Sequence, residues 1–184
     1  MEKVDVWSRL IFDMLLVTDG RTTDLLETLL GEKMHVTVMR QEQWNEGEGE
    51  AEEGSPYYLR ESVLSGAGSG FVVSHNIALV HSKNVPQALF EKIAHKEEGI
   101  GKAISSIGVE SFRKVIESGR LRGEEAVDLF GKPVTLRFPA LSKPVPYKKY
   151  VIYFGLVPGI QLLEYYNPEL IPYRLKRLEQ ADGV

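Results

Sequence analysis

The sequence predicts an α+β fold in which a largely antiparallel sheet carries helices on one face. Segments with the two-residue alternation of strands outnumber segments with helical periodicity. The connections between these strand-like segments are mostly short and rich in glycine, as in hairpins, which favours antiparallel neighbours. The 184 residues contain no internal repeat and no dividing linker, so one domain over residues 1–184 is expected.

Two helices are predicted at the start of the chain. Residues 4–16 repeat apolar side chains at the spacing of one helix face, and the turn TDGRTT ends this helix. Asp24 and Glu27 then resemble an N-terminal capping pair for a short second helix, and Gly31 offers its stop. The residues that should form the inner face of the first helix are Val4, Trp7, Ile11, Met14 and Leu15.

Three strands are predicted next. Residues 33–41 alternate and are rich in β-branched and apolar side chains, and residues 57–64 and 71–80 form two strands around the loop SGAGSG. Residues 42–54 are dominated by glutamate and glycine and should form a solvated connection. An acidic interaction segment is the alternative for that stretch.

The second half of the chain begins with two short helices. One is predicted over residues 84–94, and another begins at Gly99-Ile100-Gly101. Residues 109–119 show no clear period. Two strands are expected around a turn at Gly131-Lys132-Pro133.

The last elements are a hairpin and a helix. Pro158-Gly159 predicts the turn between strands over residues 148–157 and 159–166. Residues 168–180 then predict a closing helix.

The composition argues against several classes of function. A net charge of −4 and an isoelectric point near 5.7 oppose general nucleic-acid binding, so no nucleic-acid partner is expected. The chain has no cysteine, and its four histidines lack a metal-binding spacing, so no metal site is expected. No segment has the roughly 20 apolar residues of a bilayer crossing, and the N-terminus does not resemble a signal peptide. A cytoplasmic protein without membrane contact is therefore expected.

Three ionisable residues lie on strand faces that are otherwise apolar. Alternation places Arg60, His75 and Glu164 each on such a face. Taken singly, they have ordinary explanations: an arginine reaching the rim, a core histidine with an internal partner, and a glutamate meeting water at a strand end. Taken together, they indicate a pocket for an anionic ligand, because a buried guanidinium and a buried carboxylate both need partners.

Five short segments extend this interpretation over nearly the whole chain. They are LLVTDGRTTDLLETLLGEKMHVTVMRQ, YYLRESVL, VVSHNIALV, EGIGKAI and LLEYYNP. In this order and spacing they resemble the chorismate lyase family, including its archaeal and actinobacterial branch. The resemblance implies a chorismate lyase-like (UTRA-like) fold with a buried pocket. It also implies a lyase that needs no cofactor and converts chorismate, or a close relative, to 4-hydroxybenzoate and pyruvate.

The resemblance also implies roles for individual residues. Arg60 matches an arginine that binds a substrate carboxylate, and Glu164 matches a glutamate that is either a general acid or a hydrogen-bond acceptor for the ring hydroxyl. Thr23 matches the threonine of the family's helix-start motif, and the backbone of Ile100 matches a substrate-contacting turn. We therefore expect Glu164 and Arg60 to be catalytic, and Arg60, His75, Ile100 and Thr23 to bind a small anionic aromatic-type substrate.

Two positions depart from the family pattern. Where His75 stands, the family has a second arginine for the other carboxylate, and Lys148, Lys149 or Arg40 are candidates to replace that charge. Arg21 of the DGRTT turn lies near the expected pocket mouth, either as a ligand contact or as a solvated turn residue.

Two other functions stay open at this stage. The effector-binding (UTRA) domains of bacterial transcription regulators share this fold, so a non-catalytic small-molecule-binding domain is the main alternative. No helix-turn-helix pattern precedes the family motif, so a one-chain regulator is not expected. An interaction protein that uses the glutamate-rich connection is the third possibility. Nothing in the sequence fixes the oligomeric state.

Overall fold

The computed structural model describes residues 3–44, 57–95, 98–139 and 142–182. Within these ranges the chain forms five α-helices and six strands. In chain order they are α1 (Lys3–Val17), α2 (Thr22–Leu30), β1 (Met34–Trp44), β2 (Tyr57–Gly66), β3 (Val72–His81), α3 (Gln87–Ala94), α4 (Ile100–Ile107), β4 (Phe112–Leu121), β5 (Val145–Phe154), β6 (Val157–Tyr166) and α5 (Leu170–Asp182). The predicted acidic connection lies, from residue 45 onward, outside the described residues.

The six strands form one sheet in the order β1-β2-β3-β6-β5-β4. Every neighbouring pair is antiparallel, which confirms the predicted α+β class. The strands β3 and β6 are central, and β3 is buried along almost its whole length. No helix within the described ranges combines the length and apolar character needed to cross a bilayer.

The two faces of the sheet are covered differently. On one face, α3 and α4 pack against a cluster that includes Ala78 and Leu162. The remaining helices pack around Leu64 and Tyr166 at the other end of the same face. The helices therefore share one face of the sheet, as predicted.

The connection between β4 and β5 covers the opposite face and differs from the prediction. Residues 109–119, which showed no clear period, contribute most of the edge strand β4. The two strands expected around Gly131-Lys132-Pro133 are replaced by a single bridge between Val127 and Pro133. The reason is burial, because this connection packs apolar side chains against the sheet instead of pairing with itself. These side chains include Ala126, Leu136 and Phe138.

The β5–β6 hairpin turns at Gly155 and Leu156, ahead of the predicted Pro158-Gly159 turn. Gly155 has φ of +61°, a conformation that glycine adopts without a steric penalty. Gly159 lies inside β6, where a Cβ atom would approach Phe154 Cδ2 to 2.6 Å. This glycine therefore permits close packing, and it does not form the turn.

The first helix presents a different face to the core than predicted. Phe12, Leu15 and Leu16 are buried, whereas Trp7 and Met14 are 58% and 65% exposed. The buried residues have the i, i+3, i+4 spacing of one helix face. The prediction is therefore correct for Leu15 and for the partly buried Ile11 and wrong for Trp7 and Met14, because α1 carries apolar residues on more than one side.

Candidate functional site

A cavity of about 400 Å³ lies between the helix-covered face of the sheet and the helices α2 and α4. Its floor is formed by side chains from β2, β3, β6 and β5, and the first turns of α2 and α4 lie at its mouth. Arg60, Glu164, Thr23 and Ile100 all line this cavity. Their predicted substrate contacts remain predictions, but the structure brings these four residues together.

Arg60 projects from β2 into the cavity wall and is only 1% exposed. Its Nη1 donates to the carbonyl oxygen of Ile93 at 3.2 Å, and its Nη2 donates to that of Glu98 at 2.5 Å. Ile93 lies in the last turn of α3, where backbone carbonyls lack intrahelical partners and the helix dipole favours a cation. Burial lowers the pKa of Arg60, and within the described ranges no carboxylate forms an ion pair with it.

To the residues that the structure describes, Arg60 makes two hydrogen bonds, which use two of its five guanidinium N–H groups. Arginine stays charged in proteins, so the buried cation still favours an anionic partner. The carbonyl groups near the end of α3 therefore stabilise the buried charge in part. The cavity beside Arg60 has room for an anionic partner.

Glu164 lies on the central strand β6 and is held by two tyrosines. Tyr150 OH donates to its Oε1 at 3.0 Å, and Tyr166 OH donates to its Oε2 at 2.5 Å. Burial, and then the charge of Glu164, raise the pKa of both phenols well above 10. Both phenols therefore remain protonated donors, and Glu164 presents a fixed acceptor at the cavity floor.

His75 does not line the cavity, which corrects its predicted role in substrate binding. It pairs with Val63 and Tyr165 on the opposite face of the sheet, because successive side chains of a strand point to opposite faces. The ring is fully buried there, and its Nε2 lies 3.0 Å from Oε1 of Glu61. The β3 residues that line the cavity are Asn76 and Ala78, and Asn76 is the polar one.

The three cations suggested as replacements for a second arginine also do not line the cavity. Lys148 is buried beside it, but Nζ donates to the carbonyl oxygens of Leu15 and Thr18, both at 3.2 Å. Lys149 belongs to the row of the opposite face, since it pairs with Leu163. Arg40 forms an exposed ion pair with Glu42.

The sequence analysis missed three cations that line the cavity: Lys33, which pairs with Glu27, the exposed Lys102, and Arg113 of β4. Arg113 lies on the sheet. Arg113 is partly buried, and among the described residues it has no hydrogen-bond or ion-pair partner. Arg113 lies opposite Ile152 of β5, which also lines the cavity. Strand alternation between Arg113 and Val115 would have indicated its orientation, had residues 109–119 been assigned as a strand.

The mouth of the cavity is formed by two helix starts. Neither Arg21, the N-cap of α2, nor Gly99, the N-cap of α4, makes a side-chain capping hydrogen bond. The unpaired amides and the positive end of the helix dipole make such turns favourable to anions. Arg21 joins the two helices, because its Nη1 donates to Ser105 Oγ at 2.6 Å while the guanidinium also pairs with Asp24.

No protein-family model and no curated protein sequence matches this chain. Solved structures with a similar fold do exist. The effector domain of PhnF from Mycobacterium smegmatis matches with a TM-score of 0.50 and 18% identity, over 80% of this chain and 88% of that domain. The chain has the fold of a regulator effector domain.

Two longer proteins show the same fold. The possible transcriptional regulator YydK from Bacillus subtilis matches with a TM-score of 0.51 and 16% identity over 74% of this chain. PhnF from Mycobacterium smegmatis matches with a TM-score of 0.51 and 18% identity over 82% of this chain. The chain spans only 60% of YydK and 65% of PhnF. At these identities the likeness concerns the fold, which is the chorismate lyase-like fold implied by the sequence resemblance.

Proposed function

We propose that this chain is a ligand-binding domain of the effector type and that it binds a small anion in the cavity between the sheet and the helices α2 and α4. The observation that carries this proposal is the state of Arg60. It is a guanidinium that is 1% exposed on a cavity wall, with no carboxylate partner in the described part of the chain. An enclosed cation of this kind favours a bound anion, because few water molecules can reach it to compete.

The surroundings of Arg60 support the same conclusion. Arg113 adds a second cation that has no ion-pair partner among the described residues, and the uncapped starts of α2 and α4 add backbone donors. The volume of about 400 Å³ falls in the range of small-molecule sites. The likeness to the PhnF effector domain favours binding over catalysis as the role of the cavity.

Anion binding can be tested by thermal unfolding and calorimetric titration with inorganic phosphate and with benzoate. A ligand that binds only the folded state at 100 times its Kd stabilises that state by about 2.7 kcal/mol. We expect saturable stabilisation by at least one of these anions and a loss of affinity of about tenfold in Arg113→Gln.

Lys114→Gln is the matched control for this experiment. Lys114 carries the same charge on the same strand, but it is exposed and does not line the cavity. Its substitution should leave the affinity unchanged. Absence of binding by both anions, or equal losses in the two variants, would contradict the proposal.

Lyase chemistry is a second candidate, favoured by one observation. Arg60 and Glu164 come from distant segments of the chain, and both line this cavity. A lyase should release 4-hydroxybenzoate and pyruvate from chorismate, and Arg60→Ala and Glu164→Gln should each abolish that release. If folded wild-type protein yields neither product across the pH range of its stability, this candidate is rejected while anion binding stands.

A further inference from the structure

A second apolar stripe runs along the solvent side of α1. It consists of Trp7, Leu10, Met14 and Val17, whose side chains are between 49% and 75% exposed, and Val6 borders it. The side chains that α1 contributes to the core lie on a different side of the helix. These four residues are called the outer stripe below.

The outer stripe has the spacing of a helix–helix contact. Its members follow one another at intervals of three, four and three residues. This is the a and d pattern by which two helices pack side by side. Exposed apolar patches that are contiguous mark surfaces for association, so the outer stripe indicates that another helix covers it.

The order of side-chain sizes along the outer stripe fits a second copy of the same helix. Trp7 is the largest member and lies near one end, and Val17 is the smallest and lies at the other end. If two copies run antiparallel about a two-fold axis, Trp7 faces the partner's Val17, and Leu10 faces the partner's Met14. A parallel pair would instead place two tryptophans in one layer and two valines in another.

The polar border of the outer stripe is compatible with the antiparallel pair. Asp13 lies beside the stripe and forms an ion pair with Arg120 of β4 at 2.8 Å. In an antiparallel pair, both copies of Asp13 come to the same side of the contact. Each copy of Asp13 brings its own Arg120, so the guanidinium groups offset the repulsion between the two carboxylates.

We propose that α1 forms an antiparallel interface with α1 of a second copy of this chain through the outer stripe. Two copies of the stripe bury on the order of 1,000 Å² in total, which is near the lower limit for a specific interface. The dimer is therefore expected to be reversible. The proposal does not depend on what the cavity binds, because no residue of α1 lines the cavity.

Sedimentation velocity of the full chain over the micromolar range tests association. We expect the fraction of dimer to rise with concentration. Met14→Gln should raise the dissociation constant about tenfold or more, because it removes an apolar side chain from the middle of the interface in both copies. Leu156→Gln is the control, since Leu156 is 93% exposed at the β5–β6 turn and is not part of the outer stripe. A wild-type chain that stays monomeric throughout, or equal effects of the two substitutions, would overturn the proposal.

A charge reversal tests the polar border. Asp13→Lys brings two ammonium groups next to the two Arg120 side chains, so the dissociation constant should rise about tenfold at low salt and less at high salt. Asp5→Lys makes the same change of charge on the same helix, at an exposed position away from the outer stripe, and should have little effect. If both variants dimerise as well as wild type, Asp13 does not border the interface and the antiparallel arrangement is wrong.

Disulfide cross-linking tests the orientation directly, because the chain has no cysteine of its own. An antiparallel pair separates the two copies of residue 17 by about ten helical residues, or roughly 15 Å. Oxidised Val17→Cys protein should therefore not cross-link by itself, whereas a mixture of Val17→Cys and Trp7→Cys proteins should. Cross-linking of Val17→Cys alone, or no cross-linking in a mixture that still sediments as a dimer, would contradict the antiparallel pairing.

Discussion

Lys148 and Glu164 lie directly opposite each other on β5 and β6, yet no ion pair joins them in the described structure. Nζ of Lys148 donates to the carbonyl oxygens of Leu15 and Thr18 and, at 3.3 Å, to Thr22 Oγ1. Glu164 is held by tyrosines. The two charged groups therefore have different partners. Lys148 holds the end of α1 against the sheet, and Glu164 faces the cavity.

We predict that Lys148→Met destabilises the protein by about 2 kcal/mol, because the carbonyl groups at the end of α1 lose their buried donor. Urea denaturation measures the free energy of unfolding, and hydrogen exchange should show faster exchange of α1 amides. Lys149→Met, on the opposite face, should change the stability much less. A Lys148→Met protein as stable as wild type would show that the three hydrogen bonds contribute nothing net.

The buried tyrosines predict a loss of stability at high pH. Burial raises the pKa of Tyr150 and Tyr166 in the folded state, so above pH 10 the unfolded chain releases protons that the folded chain retains. Stability is therefore fully present below pH 10 and falls above it, by up to about 1.4 kcal/mol per pH unit for each tyrosine.

Urea titrations between pH 9 and 11 measure this slope. Tyr150→Phe and Tyr166→Phe should each make it shallower, whereas Tyr153→Phe, at a position that is not buried, serves as the control. Identical slopes in all four proteins would contradict the assignment.

His75 predicts a second pH effect at the acidic end. Burial lowers its pKa in the folded state, and the nearby Glu61 only partly offsets this. As the pH falls below about 6.5, the unfolded chain binds a proton that the folded chain does not, so this contribution to stability is present above pH 6.5 and lost below it.

His75→Gln should reduce the difference between the melting temperatures at pH 7 and pH 5. Because His75 lies on the face away from the cavity, anion affinity at pH 7 should not change in this variant. An unchanged acid dependence of the melting temperature would remove His75 as its source.

Arg60→Lys tests the geometry at the end of α3. The two guanidinium nitrogens of Arg60 bond separate carbonyl groups, and a single ammonium group cannot reproduce this arrangement. We expect a loss of about 1–2 kcal/mol in the free energy of unfolding, together with weaker anion binding. Arg40→Lys, on the exposed edge strand β1, should be nearly neutral. Wild-type stability and affinity in Arg60→Lys would show that only the charge matters.

Local alternation was enough to place Arg60 and Glu164 on apolar strand faces, because each strand has one face that is clearly more apolar than the other. It failed for β3, which is buried on both sides, so that hydrophobicity does not distinguish the face of His75 from that of Asn76. Only the pairing with β2 and β6 decides this, and that information is not local to the strand.

Arg113 was not predicted because its strand has no clearly apolar face. The edge strand β4 is exposed along much of its length and mixes charges with apolar side chains, so its alternation is weak. Its place in the sheet depends on pairing with β5, far along the chain.

Arg60 and Lys148 also hold helix ends, which limits how substitutions can change the ligand that this cavity prefers. Replacing either residue removes hydrogen bonds that position the cavity wall, because Arg60 binds the carbonyl oxygen of Glu98, next to the lining residue Gly99, and Lys148 binds Oγ1 of the lining residue Thr22. Ser62 and Arg113 hold no helix in place by a hydrogen bond among the described residues, so they can be exchanged with little effect on the scaffold. Redesign of this chain for a new guest molecule should therefore begin at Ser62 and Arg113.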